Sequence, residues 1–585
     1  MLPLTITFGE VLDVPAGRVV LQDYLPDFVT AEADLRSTLV GSFTRVTPAL
    51  RDDPDHYRRF RAALEAAMAP SLAREHVQIQ LPQLPVETGQ GRVEDDPRQQ
   101  NSTDRWQVVG EPSQWGVLEI ELSGPAAGNP FTEVELVGQF QAGEQEWSVG
   151  GFYDGEGTYR LRVLAEVAGP WTFTTRSNTE QLHGISGQVQ IAPAMAGAHG
   201  PVRVDGYHFR HADGTRYRPW GTTAYAWNHQ PEDLQTQTLQ TLAETPFTKL
   251  RMCLFPKHFV YNTDEPDLLP FPRRADGEFD VTRFDVDFFA RLDDQIRGLA
   301  ALGVEADLIL FHPYDRWGFA DLGASTDAHV LRYVVRRLAA FANVWWSLAN
   351  EWDLLVSKTV QDWDRIGEQI AAHDPHGHLI SIHNFAQHFD HSRPWITHAS
   401  VQRTEPYRTT EDTLALRQRW EKPVVYDECG YEGDLEFDWG NISAQEMVRR
   451  FWEGAVRGGY VTHGETYWSP DEQLWWAKGG QLRGSSAQRI AFLEQVVADS
   501  PSGVLEPTAS DFDLPWAGVS DEYLVSYHGA GQPRERHVLL PPGSWRVQVL
   551  DTWECTVEEL PDRYELAVLV PLSARPYQAI RLIKA

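Results

Sequence analysis

NVWWSLANEWDL (343–354) starts as an apolar run and ends in charge. Read as a strand, its side chains alternate between two faces. Trp345, Ser347, Ala349 and Glu351 share one face; Trp346, Leu348 and Asn350 share the other. Ser and Ala suit a crowded interior, whereas Trp346 and Leu348 suit packing under helices. That parity aims Glu351 into an opening at the strand's end.

Similar apolar runs recur on both sides: TTAYAW (222–227), FTKLRMCLF (247–255), VEADLILFH (304–312), LISIHN (379–384), ITHASVQ (396–402), PVVYDE (423–428) and GYVTHGETYW (459–468). Helical stretches lie between most of them, most plainly at 330–342 and 360–373. Strand–helix alternation implies parallel strands with crossover helices. Eight strands in about 300 residues predict a (β/α)8 TIM barrel over 200–500. An open doubly wound sheet is the alternative, but no GxGxxG follows the first strand.

The chain is too long for one core, with 585 residues, so further domains are expected. Over 105–195, segments such as VLEIELSG and GTYRLRVLAEV alternate apolar and polar residues between frequent turns. This predicts a β-sandwich. Residues 505–585 read the same way, giving a multidomain chain whose central barrel is flanked by β-sandwich domains. Residues 1–95 read as a small mixed α/β region with a helix over HYRRFRAALEAAMAPSLARE (56–75), followed by a polar linker (89–105).

A net charge of −32 opposes binding to nucleic acid or an anionic membrane. Three scattered cysteines form no metal knuckle or redox motif and suit a reducing compartment. The N-terminal residues lack a signal-peptide pattern, and no run approaches the roughly 18 apolar residues of a membrane span. Together these features predict a cytoplasmic protein. Its 21 Trp, 19 Tyr and 26 Phe suit large cores, but also a site that stacks on flat apolar faces.

Chemistry in such a barrel belongs at the C-terminal strand ends. Polar residues gather there: Arg251 and Lys257 with strand two, His312 after strand three, Asn350-Glu351 after four, His383-Asn384 after five. Gln402 ends strand six, Asp427-Glu428 end seven, and Glu465 and Trp468 follow eight. Strand seven parity groups Val424, Tyr426 and Glu428, so Glu428 is expected inward and Asp427 outward, provided no bulge intervenes. Two inward carboxylates on strands four and seven are the pair that glycoside hydrolysis needs: a protonated acid and an ionised partner. Arg251 is the expected cation for the ionised one. Tyr225, Trp227, Tyr314, Trp317, Trp352, Trp475 and Trp476 are expected near the mouth, about half of them touching sugar. Asp353 lies just after Glu351, and Glu432 and Glu465 are further carboxylates within reach. His376 and His378, in HDPHGHL, lie at the opposite barrel end and read as a structural turn. The first strand ends AWNHQ, without the His-x-His of barrel metallohydrolases. No catalytic metal and no cofactor are expected.

ANEW after strand four and DECG after strand seven resemble the Asn-Glu and Glu-x-Gly signatures of clan A glycoside hydrolases, the family-5-like retaining (β/α)8 enzymes. The arginine of strand two, the histidine ending three and the tryptophan after eight are similar too. GNPFTEVELVGQF with GGFYDGEGTYRLRV is similar to a small β domain that precedes such barrels in uncharacterised glycosidases. The resemblance implies that Glu351 is the acid/base and Glu428 the nucleophile. Asn350 would bind the hydroxyl beside the anomeric carbon, and Trp468 would floor the sugar site. Tyr225, Trp227, Arg251, His312, Asn384, Gln402, Glu465 and Trp475 complete the expected substrate-binding set.

The expected function is a retaining glycoside hydrolase, exo-acting on oligosaccharides or glycosides, by double displacement. Nucleic-acid and membrane partners are not expected, and a homo-oligomer stays open. The competing readings are a catalytically inactive carbohydrate-binding or scaffolding protein, and a chelator-sensitive metal-dependent hydrolase. A paired set of buried carboxylates argues against the former, because a binding protein gains nothing from them.

Overall fold

In the computed structural model, which describes residues 6, 8–26, 40, 53–72, 76–84, 105–405, 408–508 and 513–585, eight parallel strands form the centre. They are β1 (Gly221–Thr223), β2 (Lys249–Cys253), β3 (Glu305–Phe311), β4 (Val344–Ala349), β5 (Ile380–Ser381), β6 (Ala399–Gln402), β7 (Val424–Glu428) and β8 (Tyr460–His463). The ladder runs β5-β4-β3-β2-β1-β8-β7-β6. The remaining seam, between β5 and β6, is drawn together at its base: the Thr397 N–H donates to Ile380 O and the Ile380 N–H to Thr397 Oγ1, both 2.9 Å. The result is a nearly closed (β/α)8 barrel.

Among the described residues, seven helices of eight or more residues follow strands: α1 (Glu232–Ala243), α2 (Val286–Ala301), α3 (Ala324–Leu338), α4 (Val360–His373), α5 (Thr413–Trp420), α6 (Ala444–Ala455) and α7 (Ser486–Ala498). Several starts are written in sequence. Asp285 caps α2 through the amides of Asp287 and Phe288, and Thr359 with Asp362 forms a capping box on α4. The β5–β6 connection (382–398) carries no helix among the described residues.

A three-stranded sheet (Val202–Asp205, His208–His211, Arg216–Tyr217) plugs the N-terminal end of the barrel. Phe209, fully buried, places its ring 5.6 Å from Trp345 and 5.7 Å from Tyr460. Above this plug the interior turns ionic. Lys249 Nζ lies 2.7 Å from Asp307 and 2.5 Å from Asp427, and Arg251 Nη1 lies 3.2 Å from Asp427. All four side chains are at most 1% exposed.

Residues 106–191 form two four-stranded antiparallel sheets around a core that includes Leu118, Phe140, Leu161 and Trp171. This sandwich leans on α3 through ions. Arg332 and Arg336 clasp Glu135, while Arg337 joins Asp154 (2.6 Å) to Asp293 (2.8 Å). His376 Nδ1 meets Glu166 of the sandwich at 2.8 Å, and His378 meets Asp374 at 2.9 Å. The HDPHGHL turn is therefore a docking joint between sandwich and barrel. Residues 516–584 form a five-stranded and a two-stranded antiparallel sheet. They rest on α7, where the Tyr523 hydroxyl donates to Val496 O at 2.6 Å.

Within residues 1–95 the described elements are the helices Phe8–Asp13, Pro15–Tyr24 and Pro54–Leu72, the last over the stretch read as helical. The strand content expected there has no counterpart among the described residues, and the linker at 89–105 lies outside them except for Arg105. No described helix is long and apolar enough to cross a membrane.

Candidate active site

Strict alternation fails at the ends of β4 and β7, and each failure turns two successive polar residues into the barrel. On β4, Trp345 faces inward and Trp346 outward, its indole N–H donating to Asp374 at 2.9 Å. Asn350, which alternation would send outward, turns in: its Oδ1 accepts from Arg251 Nη2 at 3.0 Å. Glu351 follows with φ +56°, the left-handed region that only strong surroundings impose on a non-glycine residue. That twist keeps Glu351 in the mouth as well.

On β7 the expected parity is corrected. The Tyr426 side chain faces α5, its hydroxyl 3.5 Å from Thr413 Oγ1. Asp427 points inward to Lys249, Arg251, Ser400 and Thr462. Glu428 comes in beside it through a slip in the ladder between Val401 and Gln402, which pairs Gln402 with Glu428. A bulge of this kind lets two successive side chains share a face. Asp427 belongs to the ionic layer, and Glu428 to the cavity above it.

The two glutamates are 3% and 7% exposed. The Tyr314 hydroxyl donates to Glu351 Oε2. Glu428 Oε2 lies 3.0 Å from the Tyr225 hydroxyl and 3.5 Å from His383 Nε2. The surroundings of Gln402 favour its amide nitrogen donating to the same oxygen at 3.3 Å. Tyr225 also lies 3.2 Å from Asn350 Oδ1 and 3.3 Å from the Tyr431 hydroxyl. Lys257 is buried nearby among aromatic faces, its Nζ 3.8 Å from the Tyr225 ring centroid, 4.3 Å from Tyr314 and 4.7 Å from Trp476.

This setting separates the two carboxyls. Burial, then the charge of Glu428, pushes Glu351 up to about 8, against the opposing pull of Tyr314, Lys257 and Gln402. Burial also penalises ionised Glu428. The hydrogen bond and charge of His383, then the charges of Lys257 and Arg251, outweigh that penalty and hold it below the ordinary glutamate range. Lys257 itself is lowered, chiefly by burial. One carboxyl is thus kept protonated beside one kept ionised.

Of the residues expected at the site, Tyr225, Asn350, Glu351, Gln402 and Glu428 meet there. Arg251 reaches it through Asn350, while its guanidinium is paired with Asp427 rather than with Glu428. His312 stands behind Tyr314, donating from Nε2 to Phe255 O at 3.0 Å. Burial lowers it to about 3, so it is neutral. Trp468 is exposed on the loop after β8. Asn384 stitches the β5–β6 seam, its Oδ1 accepting from the Gln402 amide at 3.1 Å. Trp227 and Trp475 are corrected: both are buried in the main core, and Trp475 donates to Thr222 Oγ1 at 2.8 Å. Glu465 is corrected too. It accepts from the Arg483 and Gly484 amides at 2.6 and 2.7 Å, and burial raises it to about 7. Asp353 is occupied by the amides of Phe385, Ala386 and Gln387. His383 and Lys257, legible in the sequence as strand-end polar residues without an assigned role, both reach the cavity. Tyr431 carries no signal beyond its nearness to Glu428.

An apiosidase-like catalytic domain family matches residues 204–501, half of the chain. The chain belongs to the apiosidase-like family. Flanking the apiosidase-like domain, two domains of unknown function, DUF5060 and DUF5605, match residues 111–178 and 512–583. A Bacteroides vulgatus protein proposed to be a glycoside hydrolase is 38% identical, with a TM-score of 0.77 over 82% of this chain and 100% of that one. A glycoside hydrolase of family 5 from Bacteroides vulgatus is 13% identical, with a TM-score of 0.52 over 66% of this chain and 94% of the other, a likeness of fold. No curated protein matches the chain. The apiosidase-like barrel makes this protein a glycoside hydrolase.

Proposed function

We propose that the protein is a retaining glycosidase in which Glu351 is the acid/base and Glu428 the nucleophile. The observation that carries this reading is a pair of buried glutamates at the ends of β4 and β7 in one cavity, Glu351 held by the Tyr314 hydroxyl and Glu428 by Tyr225 and His383. Protonated Glu351 gives its proton to the glycosidic oxygen while ionised Glu428 attacks the anomeric carbon, forming a glycosyl-enzyme. Glu351, now ionised, takes a proton from water, which releases the sugar and restores both groups. Asn350, held by Arg251, is placed to bind the hydroxyl next to the anomeric carbon. The near-closure of both glutamates favours a chain-end sugar over the interior of a polymer, hence exo action. The family name makes apiose, a branched pentofuranose, the first sugar to test, ahead of other aryl furanosides and pyranosides. The anomer formed first, followed by proton NMR before mutarotation, is expected to keep the substrate's configuration; an inverted first product overturns the reading.

The pH profile is a second test. Activity needs Glu428 ionised and Glu351 protonated, so kcat/KM holds between an acid limb below about 4.3, the ordinary glutamate value, and a basic limb near 8. Tyr314 stabilises ionised Glu351 by hydrogen bonding. Tyr314→Phe therefore raises the Glu351 pKa and moves the basic limb to higher pH, leaving the acid limb in place. A basic limb that stays put or falls removes Glu351 from the assignment.

A further inference from the structure

Behind β8, outside the catalytic cavity, lies a second cluster that the reaction does not use. Glu432 and Glu465 are direct partners in a short parallel ladder, and His463 stands two residues before Glu465. All three are at most 2% exposed. A carboxylate oxygen from each glutamate and a ring nitrogen of His463 lie within 4.8 Å of one another.

We propose that Glu432, His463 and Glu465 bind one divalent first-row transition metal, Zn2+ or Mn2+, as a structural ion. Two observations beyond the acidic pair point to a ligand. First, the imidazole is arranged as a metal ligand. Its Nδ1 lies 3.0 Å from Thr222 Oγ1, which also receives the Trp475 indole N–H. With Nδ1–H donating to that oxygen, Nε2 keeps its lone pair, and Nε2 is buried with no hydrogen-bond partner. Fixing the ligating tautomer through the other ring nitrogen is the usual outer-shell device of a metal histidine. Second, the carboxylates have no counter-ion: among the described residues no Lys or Arg side chain pairs with either. The nearby Arg483 guanidinium turns instead to Ser469 (2.9 Å) and Asp471 (4.0 Å). Unpaired buried carboxylates are costly, and a bound cation is a standard remedy.

Backbone amides already orient the oxygens. Ser485 and Ser486 N–H donate to Glu432 at 2.8 and 3.2 Å, and Arg483 and Gly484 N–H donate to Glu465. The Tyr467 hydroxyl also donates to Glu432 Oε1 at 3.2 Å, so on Glu432 it is Oε2 that retains a lone pair for an ion, whereas both Glu465 oxygens retain one. One nitrogen and two carboxylates suit Zn2+ or Mn2+ better than Ca2+, which prefers all-oxygen shells. An ion there would tie β8 to the start of α7. It would also steady Tyr431, the neighbour of Glu432, whose hydroxyl reaches Tyr225.

The test needs no activity. The full-length protein is stripped with a chelator, re-equilibrated with Mn2+ or Zn2+, desalted and analysed for metal. About one equivalent of metal per chain is expected, with an anomalous-scattering peak in Mn2+-soaked crystals about 2.1–2.2 Å from the three ligand atoms. His463→Gln is expected to weaken the ion's affinity more than ten-fold in calorimetric titration. Less than stoichiometric metal in the wild type, a peak elsewhere, or unchanged affinity in a folded His463→Gln overturns the proposal. If that variant fails to fold, the wild-type stoichiometry and the anomalous peak decide alone.

Discussion

Glu428→Ala is expected to lose turnover on the order of 10^4-fold or more, and Glu351→Ala between about 10^2- and 10^4-fold depending on the leaving group. The asymmetry follows from the chemistry. Without Glu428 no covalent intermediate forms, whatever the substrate. Without Glu351, an aryl glycoside with an acidic phenol can still leave unassisted, and the second step then limits. Glu351→Ala should therefore show a burst of phenol followed by slow turnover, and a poor leaving group should abolish the burst. Azide separates the roles further. In Glu428→Ala it can fill the vacated space and attack the anomeric carbon, giving a glycosyl azide of inverted configuration. In Glu351→Ala it attacks the glycosyl-enzyme and gives the retained azide. Exchange of these two outcomes would exchange the roles; no azide product from either, with both variants folded and inactive, would sink double displacement.

Much of this candidate site is legible in the sequence, and the rest is hidden for identifiable reasons. Apolar runs of strand length located all eight strands, because parallel strands buried on both faces must be apolar throughout. Glu351 and Glu428 followed from strand ends. Parity failed where the backbone is irregular: with Tyr426 outward, alternation turns Asp427 inward, and the ladder slip opposite Gln402 brings Glu428 in beside it, though nothing in VVYDE marks a bulge. Likewise, a left-handed glutamate cannot be read from ANEW. Trp227 and Trp475 look like sugar platforms in sequence, yet they pack under the strand ends. An aromatic residue reads alike whether it faces a core or a cavity. The ionic layer was invisible for a related reason, since Lys249 and Asp307 lie in runs whose apolar neighbours dominate the pattern.

That ionic layer yields the largest expected effect on stability. Lys249→Met is expected to destabilise the barrel by about 3–5 kcal/mol, the usual cost of stranding a buried charge. Lys249 Nζ bridges Asp307 and Asp427, which sit on opposite sides of the interior. With Lys249 gone, two carboxylates share Arg251 alone, and one negative charge has no partner. Adding Asp307→Asn to Lys249→Met restores the charge balance and is expected to recover part of the loss, so the two substitutions are non-additive. The pH dependence has a definite sign. In the wild type, Asp427 is held far below the ordinary carboxylate range; burial opposes this, but Lys249 and Arg251 prevail. Its contribution is thus present at neutral pH and lost only as pH falls below the unfolded value of about 3.9. In Lys249→Met the stranded carboxylate has a raised pKa. Its penalty is full at neutral pH and is relieved as protonation sets in. The gap between wild type and variant, measured by urea unfolding, should therefore narrow from pH 7 toward about pH 4. A constant gap would mean that the lysine acts through packing rather than charge. Because Arg251 also holds Asn350, the same variant should disturb kcat/KM even where it remains folded. The layer that supports the barrel floor also orients the residues of the cavity above it.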